Sequence, residues 1–294
     1  MSEPVIRPLA DADVPAAQAM AHDSLSEMAA RYEGETAPEQ QPPDRITRGQ
    51  ARLRHLLATD PAGSWVAADG PDVVGVALAL RRDDFWFLSL LAVATDRQGQ
   101  GIGRALMEAA LSHAVGCSGA QIMASPDPKA LRRYAAAGFA LHPAYAAKGP
   151  VDRSQIPGGR AVREGNLAAD ATLVDAVATR LRGAPLGPDL GFLVDRGGRL
   201  LVVDEPAGQG FAVVSNGYVC PIGADSPQLA QLLLWAALGA ASEPEVTVEW
   251  LTADQQWAID VCLAARLPLS PGPSRCVRGR LGPLTPYLPS GLFG

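Results

Sequence analysis

The sequence predicts an α/β (α+β) protein of two tandem units, each a mixed central sheet flanked by helices. Three observations carry this. The chain has 294 residues, room for two domains of ordinary size. Apolar runs of strand length alternate with amphipathic stretches of helix length. The order of elements ahead of the Pro- and Gly-containing segment 150–159 (PVDRSQIPGG) then recurs after it, with different residues. A period of about 140 residues is a duplicated domain, not a solenoid. The expected units are 1–150 and 160–294.

Residues 5–9 read as a short strand, and 11–32 as an amphipathic helix with Asp11 or Asp13 to cap it and Pro15 in its first turn. Residues 33–44 (EGETAPEQQPPD) are a polar loop, and 45–58 a second helix that stops ahead of Asp60-Pro61. Strands 64–68 and 73–82 flank a hairpin turn, Asp69-Gly-Pro-Asp72. After Asp83-Asp84, residues 85–94 are almost continuously apolar, the mark of a strand covered on both faces. A Gly-rich loop leads into a helix at 101–115, a strand at 120–124, a helix at 128–137 and a strand from Phe139.

The second unit repeats the pattern: strand 160–163, helix 168–182, strands 200–204 and 210–215 around a Pro-Ala-Gly turn, strand 217–222, helix 227–241, strand 245–251 and helix 254–266. The match is best where 120–141 is laid against 246–269, each a strand, a helix and a strand. Residues 283–294 are apolar and Pro-rich and cannot form a long helix. Two arrangements fit them: packing across the other half, or a final strand with a loose end.

Lys and Arg number 25 against 31 Asp and Glu, a net charge of −6. That balance lacks the basic face of a nucleic-acid binder and leans weakly toward a cationic acceptor. No run reaches the 18–20 apolar residues of a membrane span, and the first residues lack a basic-then-apolar secretion signal. Cys117, Cys220, Cys262 and Cys276 are far apart, and His22, His55, His113 and His142 do not cluster with them. Neither a metal site nor a disulfide framework is expected, and a reducing cytoplasm fits best.

One motif carries chemistry. Gln98-Gly-Gln-Gly-Ile-Gly103 follows the apolar strand and opens a helix. Gly99, Gly101 and Gly103 remove Cβ atoms, so backbone N–H groups can close on a ligand, and the helix start adds unpaired N–H groups and a positive dipole end. The product is a pyrophosphate cradle. No Gly-Lys-Ser/Thr follows, which excludes a Walker loop. No acidic residue closes the next strand, where Ser125-Pro126 stands, which removes the context of a dinucleotide fingerprint.

This segment resembles the Gln/Arg-x-x-Gly-x-Gly/Ala signature of the GNAT family of N-acetyltransferases. A second segment, Asp127-Pro-Lys-Ala-Leu-Arg-Arg-Tyr-Ala-Ala-Ala-Gly-Phe139, is similar to the family's Asn-x-x-Ala-x-x-x-Tyr-x-x-x-Gly-Phe. The resemblance covers residues 1–150; the second half shares the outline alone. It implies acetyl-CoA as co-substrate, held where the fourth and fifth strands splay apart. The pyrophosphate would lie on the N–H groups of Gly99, Gln100, Gly101, Ile102, Gly103 and Arg104. Pantetheine would pair along Leu91, Ala92 and Val93, with the Leu91 N–H polarising the thioester carbonyl. Arg97, Arg104, Arg132 and Arg133 are candidate phosphate partners. Asp127 stands in the place of an Asn that contacts pantetheine, but a carboxylate does not donate.

The resemblance gives Tyr134 the role of general acid to the departing thiolate. No general base is evident. Ile122 fills the position where some members carry Glu, which leaves Asp83 and Asp84, acting through water, as candidates; Glu27, Glu33 and His22 are candidates to line the acceptor site, while Trp86 or Phe87 faces either the acceptor pocket or the core. In the second half the Gly-rich cradle is missing, and Cys262 stands where Tyr134 does in the first. The expectation is a degenerate second unit, with Cys262 a buried packing residue, and a monomer whose halves mimic a dimer. The acceptor would be a small-molecule or peptide amine. The rival reading is a non-catalytic acyl-CoA-binding sensor or partner-binding module.

Overall fold

The computed structural model describes residues 4–32, 34, 41–157 and 162–294. The expected loop at 33–44, Glu33 among it, and the start of the strand at 160–163 lie largely outside these. In the first half the order is β1 (Val5–Pro8), α1 (Val14–Tyr32), α2 (Pro43–Thr59), β2 (Ser64–Asp69), β3 (Asp72–Arg82), β4 (Phe85–Val93), α3 (Ile102–Ser112), β5 (Gly119–Ala124), α4 (Pro128–Ala136) and β6 (Ala140–Gly149). The second half continues with β7 (Arg163–Glu164), α5 (Leu167–Arg182), α6 (Pro188–Asp195), β8 (Arg199–Glu205), β9 (Gly208–Ser215), β10 (Tyr218–Ala224), α7 (Pro227–Ala240), β11 (Val246–Leu251), α8 (Gln256–Ala264), β12 (Leu269–Gly279) and β13 (Tyr287–Leu288).

The periodicities expected from sequence explain these elements. On α3, Ile102, Leu106, Met107 and Ala110 form one buried stripe. On α7, Ala230, Leu233, Leu234, Ala237 and Leu238 do the same. Truncating a fully buried leucine such as Leu106 would cost about 2–5 kcal/mol. β4 is buried along nearly its whole length, as its unbroken apolar run requires. The short α6 was not expected: Gly191 interrupts an eight-residue segment, too short for a clear period.

Among the described residues all strands join one mixed sheet, ordered β1-β2-β3-β4-β5-β12-β6-β11-β10-β9-β8-β7, with β13 paired to β10. The halves exchange their last strands. β12, from the end of the chain, lies between β5 and β6, pairing Ser274–Gly279 with Ala124–Gly119 on one side and Cys276 with Leu141 on the other. β6 in turn pairs with β11. One core, on the face covered by α1, α2, α5 and α6, draws on both halves, from Val14, Leu53 and Phe87 to Val177, Leu190 and Phe211. Two smaller cores lie on the opposite face, under α3 and α4 and under α7 and α8.

Buried charges cross the junction. Arg82 donates to both oxygens of Asp189 (2.9 and 2.7 Å) and to both oxygens of Asp60 (3.1 and 2.9 Å). His55 Nε2 lies 2.7 Å from Asp189. Tyr287 and Leu288 form a final strand on Gly223 and Ile222 of their own half, and the residues after it reach the first half, where the Ser89 hydroxyl donates to the Leu292 carbonyl at 2.6 Å.

Candidate functional site

β4 and β5 run parallel and in register from Phe85↔Gly119 to Leu88↔Ile122, and the pairing stops there. Beyond it Ser89–Val93 has no β5 neighbour, so a crevice opens in the middle of the sheet. A cavity of about 220 Å³ sits at this opening. Its walls include Leu91, Ala92 and Val93 from β4, Gly99, Gly101 and Gly103 from the loop, and Asp127 and Tyr134 from α4.

The glycine loop has the geometry that its composition demands. Gly99 and Gly101 have φ of +82° and +89°, a region that side chains rarely adopt, and a Cβ at either would project into open space. Gly101 is the N-cap of α3 and offers no side-chain cap. The N–H groups of Arg104 and Ala105 close the first turn on the Gly101 carbonyl (2.9 and 3.1 Å), while those of Ile102 and Gly103 lack an intrahelical partner. Positive charge gathers beside them. Arg97, Lys129 and Arg133 line the cavity. Arg97 holds Asp69 at 2.6 Å through Nη2, and its Nη1 is buried with no partner among the described residues.

Other expected residues point elsewhere. Gln100 is exposed and donates to the Asp96 carbonyl, Ile102 packs into the core under α3, and the Arg104 side chain pairs with Glu108 at 2.8 Å. These three contribute backbone at most. Arg132 does not line the cavity. Asp127 caps α4, accepting from the Lys129 N–H at 2.8 Å.

Tyr134 is 6% exposed and lines the cavity, on the same face as Trp86, Ile122 and Cys276. Burial pushes its phenol up, with the nearby Arg133 charge opposing. The hydroxyl therefore keeps its proton throughout the neutral range and makes no hydrogen bond among the described residues.

Asp83 and Asp84 occupy the exposed β3–β4 turn, roughly 23 Å along the strand from Leu91. They do not approach the opening. Glu27 is exposed on α1, and His22 lies 3.5 Å from Ser26. Trp86 is buried and bonds the Ala110 carbonyl, and Phe87 is buried on the opposite face, so both are core residues. Local sequence did not reveal Ser24, Leu25 and Met28, which line the cavity from α1. The Ser24 hydroxyl donates to the Val93 carbonyl at 2.9 Å across 69 positions, a contact no local pattern encodes.

The second half lacks this opening. β10 and β11 pair at Tyr218↔Thr247, and beyond that point β13 pairs with β10. The start of α7 is capped by the Ser226 hydroxyl, which accepts from Leu229. Cys262 is fully buried, and burial pushes its thiol up to about 12. It is a packing residue.

The family model for the acetyltransferase (GNAT) family matches residues 23–139. This stretch is a GNAT acetyltransferase domain. The match takes in the glycine loop, Tyr134 and the Gly138-Phe139 that follow it. No curated protein matches the sequence significantly. Among solved structures, a Pyrococcus horikoshii protein provisionally described as an acetyltransferase superposes with a TM-score of 0.78 at 17% identity, over 100% of this chain and 97% of its own. A GCN5-related N-acetyltransferase from Sphaerobacter thermophilus gives 0.60 at 13% identity, covering 98% of each chain. A tandem GNAT protein from the clavulanic acid biosynthesis pathway gives 0.56 at 18% identity, over 94% of this chain and 98% of its own. At such identities the likeness is one of fold, and it extends past the GNAT domain to the whole chain. No helix among the described residues is long and apolar enough to cross a membrane, and no group of three or more His, Cys, Asp or Glu could hold a metal ion.

Proposed function

We propose that this chain is an acetyl-CoA-dependent N-acetyltransferase with one working site, in the first half. The observation that carries the reading is the crevice at the end of the β4–β5 pairing, with a glycine cradle and positive charge at one end and the Tyr134 phenol beside the other. The cradle N–H groups and Arg97, Lys129 and Arg133 suit a pyrophosphate. The free edge of β4 suits the amides of pantetheine. The Leu91 N–H would then meet the thioester oxygen as negative charge develops on it.

The chemistry is direct attack in a ternary complex. The neutral amine nitrogen forms a bond to the thioester carbon, the carbon–sulfur bond breaks, and the thiolate takes the proton of the Tyr134 hydroxyl. The phenol is protonated at the start of each turnover, as the donor in this step must be. The amine's own surplus proton leaves to water, in keeping with the absence of a carboxylate at Ile122, and water returns a proton to the Tyr134 phenolate.

We further propose that residues 1–150 act as the catalytic unit and 160–294 as a degenerate partner that mimics the second subunit of a dimer, leaving the whole chain a monomer. Calorimetric titration with acetyl-CoA and CoA release with a panel of primary amines test the reading. One site per chain and release dependent on amine are expected. Two equivalent sites would refute the assignment to one half, and tight binding with no release for any amine would favour a binding module. Sedimentation at micromolar concentration tests the monomer.

A further inference from the structure

A gap between parted strands has two mouths by geometry, one on each face of the sheet, and residues 292–294 pack beside the one toward α1 and α2, against Ser89, Phe85 and Phe87. Tyr134 belongs to the face of α3 and α4. An amine approaching the thioester carbon has the other mouth, on the face of α1 and α2. Side chains alternate along strands, so the register identifies what borders it. Ile122 and Cys276 point to the Tyr134 side, so Gln121, Met123 and Arg275 point to the other, with Arg275 directly opposite Met123. Ser89 follows Leu88 and shares this face with Phe87. From Ser89 to Arg275 the distance is at least two strand spacings, about 10 Å, since β4 and β5 part beyond Leu88.

Two arginines on this face stand outside the Arg82–Asp60–Asp189 network. Arg52, on α2, donates through Nε and Nη2 to the Ser89 hydroxyl (3.1 and 2.8 Å) and through Nη2 to the Ser89 carbonyl. Arg275 is 3% exposed and donates through Nε and Nη2 to Gln121 Oε1 (3.2 and 2.9 Å). Neither makes an ion pair with a carboxylate among the described residues, and Asp254 and Tyr287 act on Arg275 through their fields alone. The Gln121 amide nitrogen, on a side chain with no exposure, has no hydrogen-bond partner among the described residues. Arg182 lies on the same face, but its donors are taken by the carbonyls of Ala184, Pro185, Phe293 and Gly294. Buried guanidinium groups are normally paired, and an orphaned buried donor is costly. Burial with no carboxylate paired to them pulls Arg52 and Arg275 each down to about 10. Two cations and a free amide N–H on one face of the sheet, behind the lining of the cavity, have the donor set of an anion site.

We propose that the acceptor amine carries an anionic group, a carboxylate or a phosphate, and that Arg52, Gln121 and Arg275 receive it. The inference rests on the acetyltransferase reading above. It gives the strand exchange a chemical purpose, because Arg275 arrives on β12 from the second half and completes a site in the first. It also reverses the weak lean toward a cationic acceptor drawn from net charge: the local field at the mouth is positive although the chain is acidic overall.

The test is CoA release, with acetyl-CoA saturating, from matched acceptors. Glycine and L-alanine are each compared with their amides, and O-phosphoethanolamine with ethanolamine. The amine of an amino-acid amide is the less basic, so more of it is neutral at a given pH, and amine basicity alone would favour the amide. The expected result is kcat/KM at least tenfold higher for the anionic member of one pair type; which type responds separates carboxylate from phosphate. In Arg275→Met, which keeps much of the apolar stem, that preference falls at least tenfold while the neutral acceptor and the acetyl-CoA Kd change less than twofold. Arg52→Gln gives a second reading if Arg275→Met lowers the melting temperature, and the wild-type comparison needs no variant. Release from anionic and neutral acceptors alike, or equal loss for both in the variants, overturns the inference and leaves the transferase reading intact. No release from any amine by an enzyme that binds acetyl-CoA overturns both.

Discussion

Replacing Tyr134 by Phe removes one oxygen from a side chain that is 6% exposed and lines the cavity. The hydroxyl makes no hydrogen bond among the described residues, so the folded state loses no partner. Ring packing against the core under α3 is retained. Stability should therefore change by less than about 0.5–1 kcal/mol, and the acetyl-CoA Kd by less than twofold. Turnover should not be spared. The phenol's interaction with sulfur grows as the carbon–sulfur bond breaks, so its loss falls on the transition state. A positioned general acid contributes about 10²–10⁴-fold. A water entering the vacated space recovers part of this, which leaves a fall of at least roughly tenfold. The assay is single-turnover acetylation of a confirmed acceptor, where product release does not mask chemistry, with thermal unfolding and calorimetry as controls. A wild-type single-turnover rate in Tyr134→Phe would refute the argument and make Tyr134 a packing residue.

Further predictions follow from the same geometry. Gly101→Asp puts a side chain at φ +89° and a negative charge in the cradle; acetyl-CoA affinity, read by calorimetry, should fall by at least about tenfold, or 1.4 kcal/mol. Asp189→Ala leaves the buried Arg82 with Asp60 alone and breaks the contact with His55; urea unfolding should show a loss of about 3–5 kcal/mol. Asp60 is pushed up by burial, but hydrogen bonds from His113, Thr59 and the Arg81 N–H, with the Arg82 charge, outweigh this and hold it at about 2 against a usual 3.8. A lowered folded-state pKa stabilises the fold above the unfolded value, so about 2 kcal/mol should be present above pH 4 and vanish as pH falls from about 4 to 2. Asp60→Asn should flatten that part of the stability–pH curve.

The sequence by itself determined most of the elements and the glycine loop. Alternating and 3.6-residue apolar patterns are local, and they gave most strands and helices to within a few residues. Gly99 and Gly101 were legible because only glycine holds a positive φ without strain, and the spacing from Tyr134 to Gly138-Phe139 is fixed within one helix and its C-terminal turn. Tertiary structure decided the rest. Which strand lies beside β5 depends on pairing partners separated by more than 150 positions, such as Cys276 with Ile122, and strands of similar apolar character give no local sign of their neighbours. The filling of the second crevice by β13, the Arg82–Asp189 link across 107 positions and the meeting of Arg275 with Gln121 across 154 are contacts of the same kind. A polar side chain is legible as a helix cap from its neighbours in sequence. As a buried ion or an unpaired donor it is defined by what the fold brings to it or withholds, and its desolvation has no counterpart in the unfolded chain.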